Sequence, residues 1–519
     1  MARAVTLAEL DEDDRNLRFW RLQRRMPAAW AAAADSGGES VVVLPSIASG
    51  PTVTRSGSLA QAYEERFLFL LLLLRRPGLR IVYVTSTPVD PRIVEYYLAL
   101  LPGVVPSDAR SRLSMVSVGD GSARPLSAKL LDRPRVLERI AAFIPDRARS
   151  HLIPYATTRL ERDVALTLGI PVYGAEPALA TWGSKSGGRR LFHEVGIAHP
   201  AGAEALHGLD DVAEAIERLL AERPGLRYAI VKLDYGVSGS GNALVDLDGI
   251  ADLPARQRRA AIDERVREMR FDWPETPRER YLSVLASEGG VVEERLAGAE
   301  VLSPSVQLQV LPDGTVEVVS THDQLLGGTS GQSFLGCVFP ANPAYSRLIA
   351  EPALAIGRRL AAEGVIGRFS VDFIVVPDDA GDWSAYAIEV NLRMGGTTHP
   401  FLALQFLTDG RYDAGTGRFL TPSGAEKHLV ATDHLESPEL RALTIDDLFD
   451  AVTRHGLHFD SARETGIVLH MISSVTEHGR VGMTAVGDTP EAAMQLFARA
   501  RRVLLDEAIA AARPSALPD

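Results

Sequence analysis

The chain predicts a mixed α/β and α+β protein: a parallel α/β layer first, a core built on antiparallel strands next, and a small α+β segment last. Three stretches carry that reading. Short apolar runs alternate with helical runs from residue 39 to 175, the rhythm of a parallel sheet. Residues 370–377 and 384–391 read as two antiparallel strands joined by an acidic turn. Residues 467–473 and 481–486 read as a hairpin, and 490–511 as a closing helix. At 519 residues the chain exceeds what one core serves, so it divides into units over 1–175, 176–430 (with a mobile lid at about 226–290) and 431–519.

Composition removes several functions. The net charge of −12 comes without any basic run, which argues against nucleic acid as a partner. A single cysteine, Cys337, allows no internal disulfide and no cysteine-only metal site, and it suits a reducing cytosol. The first residues are acidic (Asp11, Glu12, Asp13, Asp14), not a basic-then-apolar signal. The longest apolar run, Phe67–Leu74, falls far short of the roughly 20 residues of a membrane span. The expectation is a cytoplasmic protein with no membrane partner.

In order, residues 1–38 read as amphipathic helix with Trp20 and Leu22 on the apolar side. Glu39–Leu44 is a buried strand, 59–76 a helix ended by Pro77-Gly78, and Ile81–Ser86 a strand. A helix follows to Leu101, then a strand at Leu113–Val118 and a helix over 133–143 opened by Pro134. His151–Tyr155, Thr157–Leu168 and Ile170–Tyr173 repeat strand, helix, strand, with Thr158 and Glu161 spaced as a capping box. Gly119-Asp120-Gly121 is a turn, and no complete GxGxxG supports a dinucleotide fold. Ser46, Thr85 and Ser86 stand at strand ends, where open parallel sheets bind ligands, so they are expected to touch substrate.

The core carries the charged chemistry. Lys185 opens a helix, where free N–H groups and the dipole favour anions. Lys232 ends the strand Tyr228–Leu233, and the loop Gly236, Ser238, Gly239, Ser240, Gly241 can lay N–H groups over phosphates. Residues 251–285 are charged, arginine-rich helices at the lid surface. Pro312-Asp313-Gly314 turns a hairpin, and His322-Asp323 after it has no serine elbow to complete a hydrolase triad. Gly327–Gly336 reads as a loop and 343–363 as a helix. Glu389 and Asn391 leave one face of their strand, and Asp372 on the neighbouring strand can join them. Three hard oxygen donors suit Mg²⁺ rather than zinc. Beyond Pro400 a helix runs through Phe406, Gly410–Gly417 is polar and exposed, and 440–454 is helical.

The ordered set Lys185, Lys232, the glycine-rich loop, Glu293-x-x-Leu296-x-Gly298-x-Glu300, Asp372 and Glu389-x-Asn391 resembles the ATP-grasp carboxylate–amine ligases over about 176–405. The resemblance implies that Lys185 and Lys232 bind ATP phosphates, and that Glu293 and the Leu296 backbone meet adenine. It implies also that Glu300 holds the ribose, that Glu294 belongs to the nucleotide set, and that Asp372, Glu389 and Asn391 bind two Mg²⁺. Relatives of the D-alanine ligases carry Arg-x-Asp at the first metal ligand. Here position 370 is Ser, so Arg393 is the first choice for the acyl phosphate and Arg368 the second. The stretches Tyr63–Leu70, Val82–Ser86, Thr157–Arg162, Gly183–Gly187 and Ser320–Gln324 resemble the pheganomycin-type peptide ligases with their pre-ATP-grasp domain. That implies ATP-dependent joining of an amino-acid or peptide carboxylate to an amine, in small-peptide biosynthesis, by a chain that can form a homodimer. The alternatives are a carboxylate–thiol ligase, a phosphotransferase with the same ATP site, and a nucleotide-binding regulator without turnover.

Overall fold

Apolar β-branched runs build the first sheet. β1 (Ser40–Leu44), β2 (Arg80–Thr85), β3 (Leu113–Ser117) and β4 (Ser150–Pro154) pair in the order β3-β2-β1-β4, all parallel. Every residue of β1 is buried, as a strand covered on both faces requires. Alternation then sorts the side chains. Val42, Leu44, Val82, Val84 and Leu152 meet the helices Pro134–Ala142 and Arg159–Leu168, while Val41, Val43, Ile81 and Tyr83 meet Phe67–Leu74. The expected capping box is present, with Thr158 N and Oγ1 both donating to Glu161. The computed structural model describes residues 6–34, 38–47, 57–236, 239–273, 275–327, 333–378 and 380–513.

A second sheet is antiparallel: β5 (Gly202–Leu206), β6 (Tyr228–Leu233), β7 (Asn242–Asp246), β8 (Arg270–Phe271) and β9 (Gly290–Glu294), ordered β5-β9-β6-β7-β8. The helices Leu209–Glu222, Ala255–Arg267 and Arg278–Glu288 accompany it. The third sheet begins with β10 (Pro304–Val310), β11 (Val316–Gly327), β12 (Ser333–Phe339), β13 (Gly367–Pro377) and β14 (Trp383–Asn391). After the small hairpin β15 (Arg411–Asp413) and β16 (Arg418–Leu420) it resumes with β17 (His428–Glu436), β18 (Gly466–His470) and β19 (Arg480–Gly487). Its order is β14-β13-β10-β11-β12-β17-β19-β18. The last hairpin is therefore not a separate cap: β17 ties it to the sheet that carries β13 and β14.

Several local expectations change. Trp20 is 48% exposed under the Arg24 guanidinium, and Phe19, Leu22 and Gln23 are the buried residues of that helix. Arg66–Arg75 is 3-10 rather than α-helical. Ile170–Tyr173 contributes one bridge, Val172 to Leu152, in place of a strand. His322 and Asp323 lie inside β11, not at its end, and Ser333–Gly336 belongs to β12 rather than a loop. Arg411–Asp413 and Arg418–Leu420 pair within the stretch expected to be merely polar. Among the described residues no helix is long and apolar enough to cross a membrane.

The Tyr63–Arg66 stretch docks the first sheet onto the third. Glu65 accepts from the Ile472 and Ser473 N–H groups, and the Tyr63 hydroxyl receives Arg480. Arg66 donates to Asp433 Oδ2 at 2.5 Å, with both side chains buried. Asp433 Oδ1 in turn lies 2.8 Å from His470 Nε2 and 3.3 Å from His399 Nε2.

Candidate active site

Antiparallel pairing of β13 and β14 sets Asp372 opposite Glu389 and Ser370 opposite Asn391. The Asn391 amide donates to Asp372 Oδ2 at 3.0 Å, and Ser305 of β10 donates to Asp372 Oδ1 at 2.6 Å. Burial and the facing Glu389 charge push the Asp372 carboxyl up to about 6, against the pull of Ser305, Arg393 and Asn391. Two crowded carboxylates and an amide oxygen are a hard, oxygen-only donor set short of positive charge, which fits Mg²⁺. One cation already attends it: Lys185 Nζ stands 3.4 Å from Glu389 Oε1.

Lys185 opens the helix Lys185–Val195, whose N-cap is Ser184. The first N–H groups are not free, contrary to expectation. Lys185 N donates to Asp234 O, Ser186 N to Asp234 Oδ1 and Gly187 N to Ser184 Oγ. The helix start is thus fastened to the chain leaving β6, and the lysine side chain is its remaining anion-seeking group. Gly236 lies over it, since a methyl group there would come within 3.9 Å of Lys185 Nζ. Gly239 takes a positive φ of 77° to turn the loop, Ser240 is buried, and Tyr281 donates to Gly241 O. Ser238 lies outside the described residues.

Lys232 on β6 donates to Glu293 Oε2 of β9 at 2.6 Å. Arg189, on the helix that Lys185 opens, donates to the other oxygen at 2.7 Å. Burial alone would raise Glu293, yet the two cations hold its carboxyl below the usual range. Sequence reasoning missed Arg189. Glu294 accepts from Ala201 N instead, fixing the β5 edge. Leu296 is half-buried and Glu300 exposed on the chain beyond β9. Gly298 there is obligatory, because a Cβ would come within 2.3 Å of Val376.

Past Asn391 the chain turns toward the first sheet. Met394 N donates to Tyr155 O just beyond β4, and the Arg393 guanidinium sits 5.6 Å over the Tyr155 ring. Gln307 steadies the turn through Thr397 and Thr398. Between this turn and β4 lies a cavity of about 200 Å³. Its walls are apolar at Val41, Leu70, Leu73, Ile153, Leu402 and Phe406. Arg393 and Arg368 both reach it, as do Glu39, His151, Tyr173 and Thr157. Ser46, Thr85 and Ser86, expected at the substrate, are turned inward: Thr85 donates to Thr87 O, Ser86 to Glu64, and Ser46 accepts from Ser127 N.

The sequence can now be placed among known proteins. The ATP-grasp family described as IQCH-like matches residues 177–270 and 266–415, and the family described as the PGM1 C-terminal domain matches 447–500. The L-propargylglycine–L-glutamate ligase of Streptantibioticus cattleyicolor is 32% identical over 454 residues, covering 85% of this chain and 89% of its own. This chain belongs to the ATP-grasp carboxylate–amine ligases. A second relative of this ATP-grasp ligase, IQ motif-containing protein H of Danio rerio, is 23% identical, and the match covers 84% of the present chain but 45% of that one. The fold recurs in an ADP complex of N5-carboxyaminoimidazole ribonucleotide synthetase, with TM-score 0.51, 11% identity, and 91% and 98% of the two chains covered. It recurs also in Rhizobium etli pyruvate carboxylase, with TM-score 0.50, 17% identity, and 90% and 37% covered.

Proposed function

We propose that the protein joins a carboxylate of an amino-acid or peptide substrate to an amine, consuming ATP through an acyl phosphate. The observation that carries the proposal is the meeting of Asp372, Glu389, Asn391 and Lys185 beside a cavity that Arg393 enters. Asp372, Glu389 and Asn391 would hold two Mg²⁺, which supply positive charge where phosphate oxygens and an attacking carboxylate repel one another. Lys185 and Lys232 then leave Glu389 and Glu293 for the phosphates. Gly236, Ser238, Gly239, Ser240 and Gly241 cover those phosphates with N–H and hydroxyl donors. Glu293, Glu294, the Leu296 backbone and Glu300 serve the adenosine.

The substrate carboxylate attacks the γ-phosphorus, the bond to the β-phosphate oxygen breaks, and ADP leaves. The amine nitrogen next attacks the acyl carbon, the carbon–oxygen bond to phosphate breaks, and the amine loses its proton. Arg393 stabilises the oxyanion formed there. Arg368 is worse placed for that task, because it lies four residues along β13 from Asp372, about 13 Å of extended strand. The Arg393 charge acts on Asp372, lowering its carboxyl against the effect of burial. An acyl phosphate is lost to water unless solvent is shut out, and the β6–β7 loop over Lys185 is the part that closes.

Coupled detection of ADP with MgATP, a panel of amino acids and short peptides, and hydroxylamine as a generic amine tests the reading. Amine-dependent amide formation with stoichiometric ADP is expected. ADP release only with coenzyme A, or phosphate transfer without an amine, would replace it with the thiol-ligase or phosphotransferase reading; nucleotide binding without turnover would leave a regulator.

A further inference from the structure

Where the Tyr63–Arg66 stretch meets the third sheet, three metal-ligating atoms converge: His399 Nε2, His470 Nε2 and Asp433 Oδ1. The two nitrogens are 3.0 Å apart, His470 lies 2.8 Å from the carboxylate oxygen and His399 3.3 Å from it. The residues come from three elements, the helix Thr398–Thr408, β17 and β18. All are buried, at 5% exposure for His399 and 3% for each of the others.

Hydrogen bonding alone leaves this triangle frustrated. Burial would raise the Asp433 carboxyl, yet Arg66 and the two imidazoles hold it well below the usual range, so Oδ1 only accepts. Each ring nitrogen is either a donor or an acceptor. If both Nε2 atoms donate to Oδ1, the 3.0 Å contact sets one N–H against another. If either Nε2 is bare, it faces the carboxylate oxygen lone pair to lone pair. No placement of protons makes all three contacts favourable, whereas one cation between them satisfies all three. Bonds of about 2.0–2.1 Å from zinc to nitrogen or oxygen separate neighbouring ligand atoms by about 2.8 Å at right angles and about 3.4 Å in a tetrahedron. The triangle spans that range. Its members are also held from outside. Arg66 donates to Asp433 Oδ2 and Arg480 to the Asp433 carbonyl, which fixes the carboxylate. The His470 ring lies against Gly482, where a Cβ would come within 2.1 Å of it. His399 Nδ1 has no hydrogen-bond partner among the described residues, so nothing outside the triangle fixes the proton of that ring.

We propose that His399, Asp433 and His470 bind a divalent transition-metal ion of the zinc type. Two imidazoles and one carboxylate suit such an ion, unlike the oxygen-only set of Asp372, Glu389 and Asn391. Three protein ligands leave a fourth position for water. Burial keeps a substrate from that position, so the ion holds elements together: the helix that follows the Arg393 turn, β17 and β18. The site is independent of the ligase reading and makes no use of nucleotide.

Elemental analysis of the full-length protein tests it. The protein is produced in zinc-supplemented medium without a metal-binding tag, then dialysed against excess Mg²⁺ to clear zinc from oxygen-only sites. The wild type should retain about one zinc per chain, and His399→Gln and His470→Gln fewer than about 0.1. Zinc returned to the metal-free wild type should raise its thermal midpoint and leave that of His470→Gln unchanged. Near-ultraviolet circular dichroism checks that the variants fold. X-ray absorption at the zinc edge needs no variant and should show imidazole nitrogens around the ion. Fewer than about 0.1 of zinc, iron, cobalt, nickel or copper per wild-type chain overturns the proposal. So does metal retained undiminished in both folded variants, or a zinc shell without imidazole. ADP release with MgATP stays the separate measure of the ligase, and none of these results bears on it.

Discussion

The two walls of the cleft obey opposite rules. On the β13–β14 and β6–β9 side nearly every charged group has an internal partner: Lys185 with Glu389, Lys232 and Arg189 with Glu293, Asp372 with Ser305 and Asn391. On the β1–β4 side Glu39, His151, Thr157 and Tyr173 face a cavity with polar atoms that have no hydrogen-bond partner among the described residues. The first wall is internally paired, and in the proposed mechanism each lysine would exchange its carboxylate for a phosphate when nucleotide arrives. The second wall bears an uncompensated cost until something fills it.

The sharpest way to break this comparison is at the paired wall. Asp372→Ala removes a proposed Mg²⁺ ligand and the acceptor of two hydrogen bonds, so turnover should fall by about a thousand-fold or more while the fold persists. Glu389→Ala should do the same and free Lys185 as well. ADP formation is the readout, and activity within ten-fold of wild type in either variant would remove these residues from the mechanism.

Arg189→Ala probes the same wall through stability. It leaves Glu293 with Lys232 alone in a buried place, at a cost of about 3 kcal/mol. Urea unfolding should show the loss as a lower midpoint at unchanged slope. The apparent KM for ATP should rise too, because Lys232 becomes harder to draw away from Glu293. An unshifted midpoint would mean that the buried pair is not what positions the lysine.

How much of this was legible in the sequence depended on distance along the chain. Glu389 and Asn391 were readable because strand alternation alone puts them on one face, and Asp372 because a short turn brings it opposite. Lys185 was readable as a helix start, but Asp234, which takes up its N–H groups, comes 49 residues later and carried no local signal. Arg189 and Glu293 are 104 residues apart, and Arg66 and Asp433 are 367 apart. Nothing local distinguishes such arginines from solvated ones. β17 was missed for a related reason: Thr432, Asp433 and His434 interrupt its apolar run, and the buried Arg66, His399 and His470 that explain a carboxylate there are all distant in sequence. Ser46, Thr85 and Ser86 were read from a general rule about strand ends, which identifies the place but not whether the protein has already used the groups.

A smaller effect separates the docking stretch from both walls. Burial pushes Glu65 up to about 7 and Glu64 likewise up to about 7. Their unfolded carboxyls titrate near 4.5, so the folded state binds protons more tightly between those values. The resulting stability is fully present below about pH 4.5 and is lost as pH rises through about 7. Stability, and with it the thermal midpoint, should therefore fall between pH 5 and 8. Glu65→Gln keeps an oxygen for the Ile472 and Ser473 N–H groups and should flatten that slope. A slope as steep in the variant would place the titrating group elsewhere.

The smallest expected effect falls on the parallel sheet itself. Thr85 stands at the carboxyl end of β2, where a ligand contact was expected, but its hydroxyl donates to Thr87 O at 2.7 Å and the residue is 3% exposed. Ser86 is fully buried, accepts from Lys129 and donates to Glu64, and so offers a ligand nothing. Among the described residues, the unpaired polar atoms on this layer lie at Glu39 and His151, on the side of β1 and β4, rather than at β2. Thr85→Val keeps the β-branched shape and deletes one hydrogen bond, so it should cost about 1 kcal/mol of stability and leave substrate affinity where it was. Calorimetry with the amino-acid substrate and with the ATP analogue checks both halves. A several-fold loss of amino-acid affinity in Thr85→Val, with the nucleotide unaffected, would place the substrate at the β2 end after all.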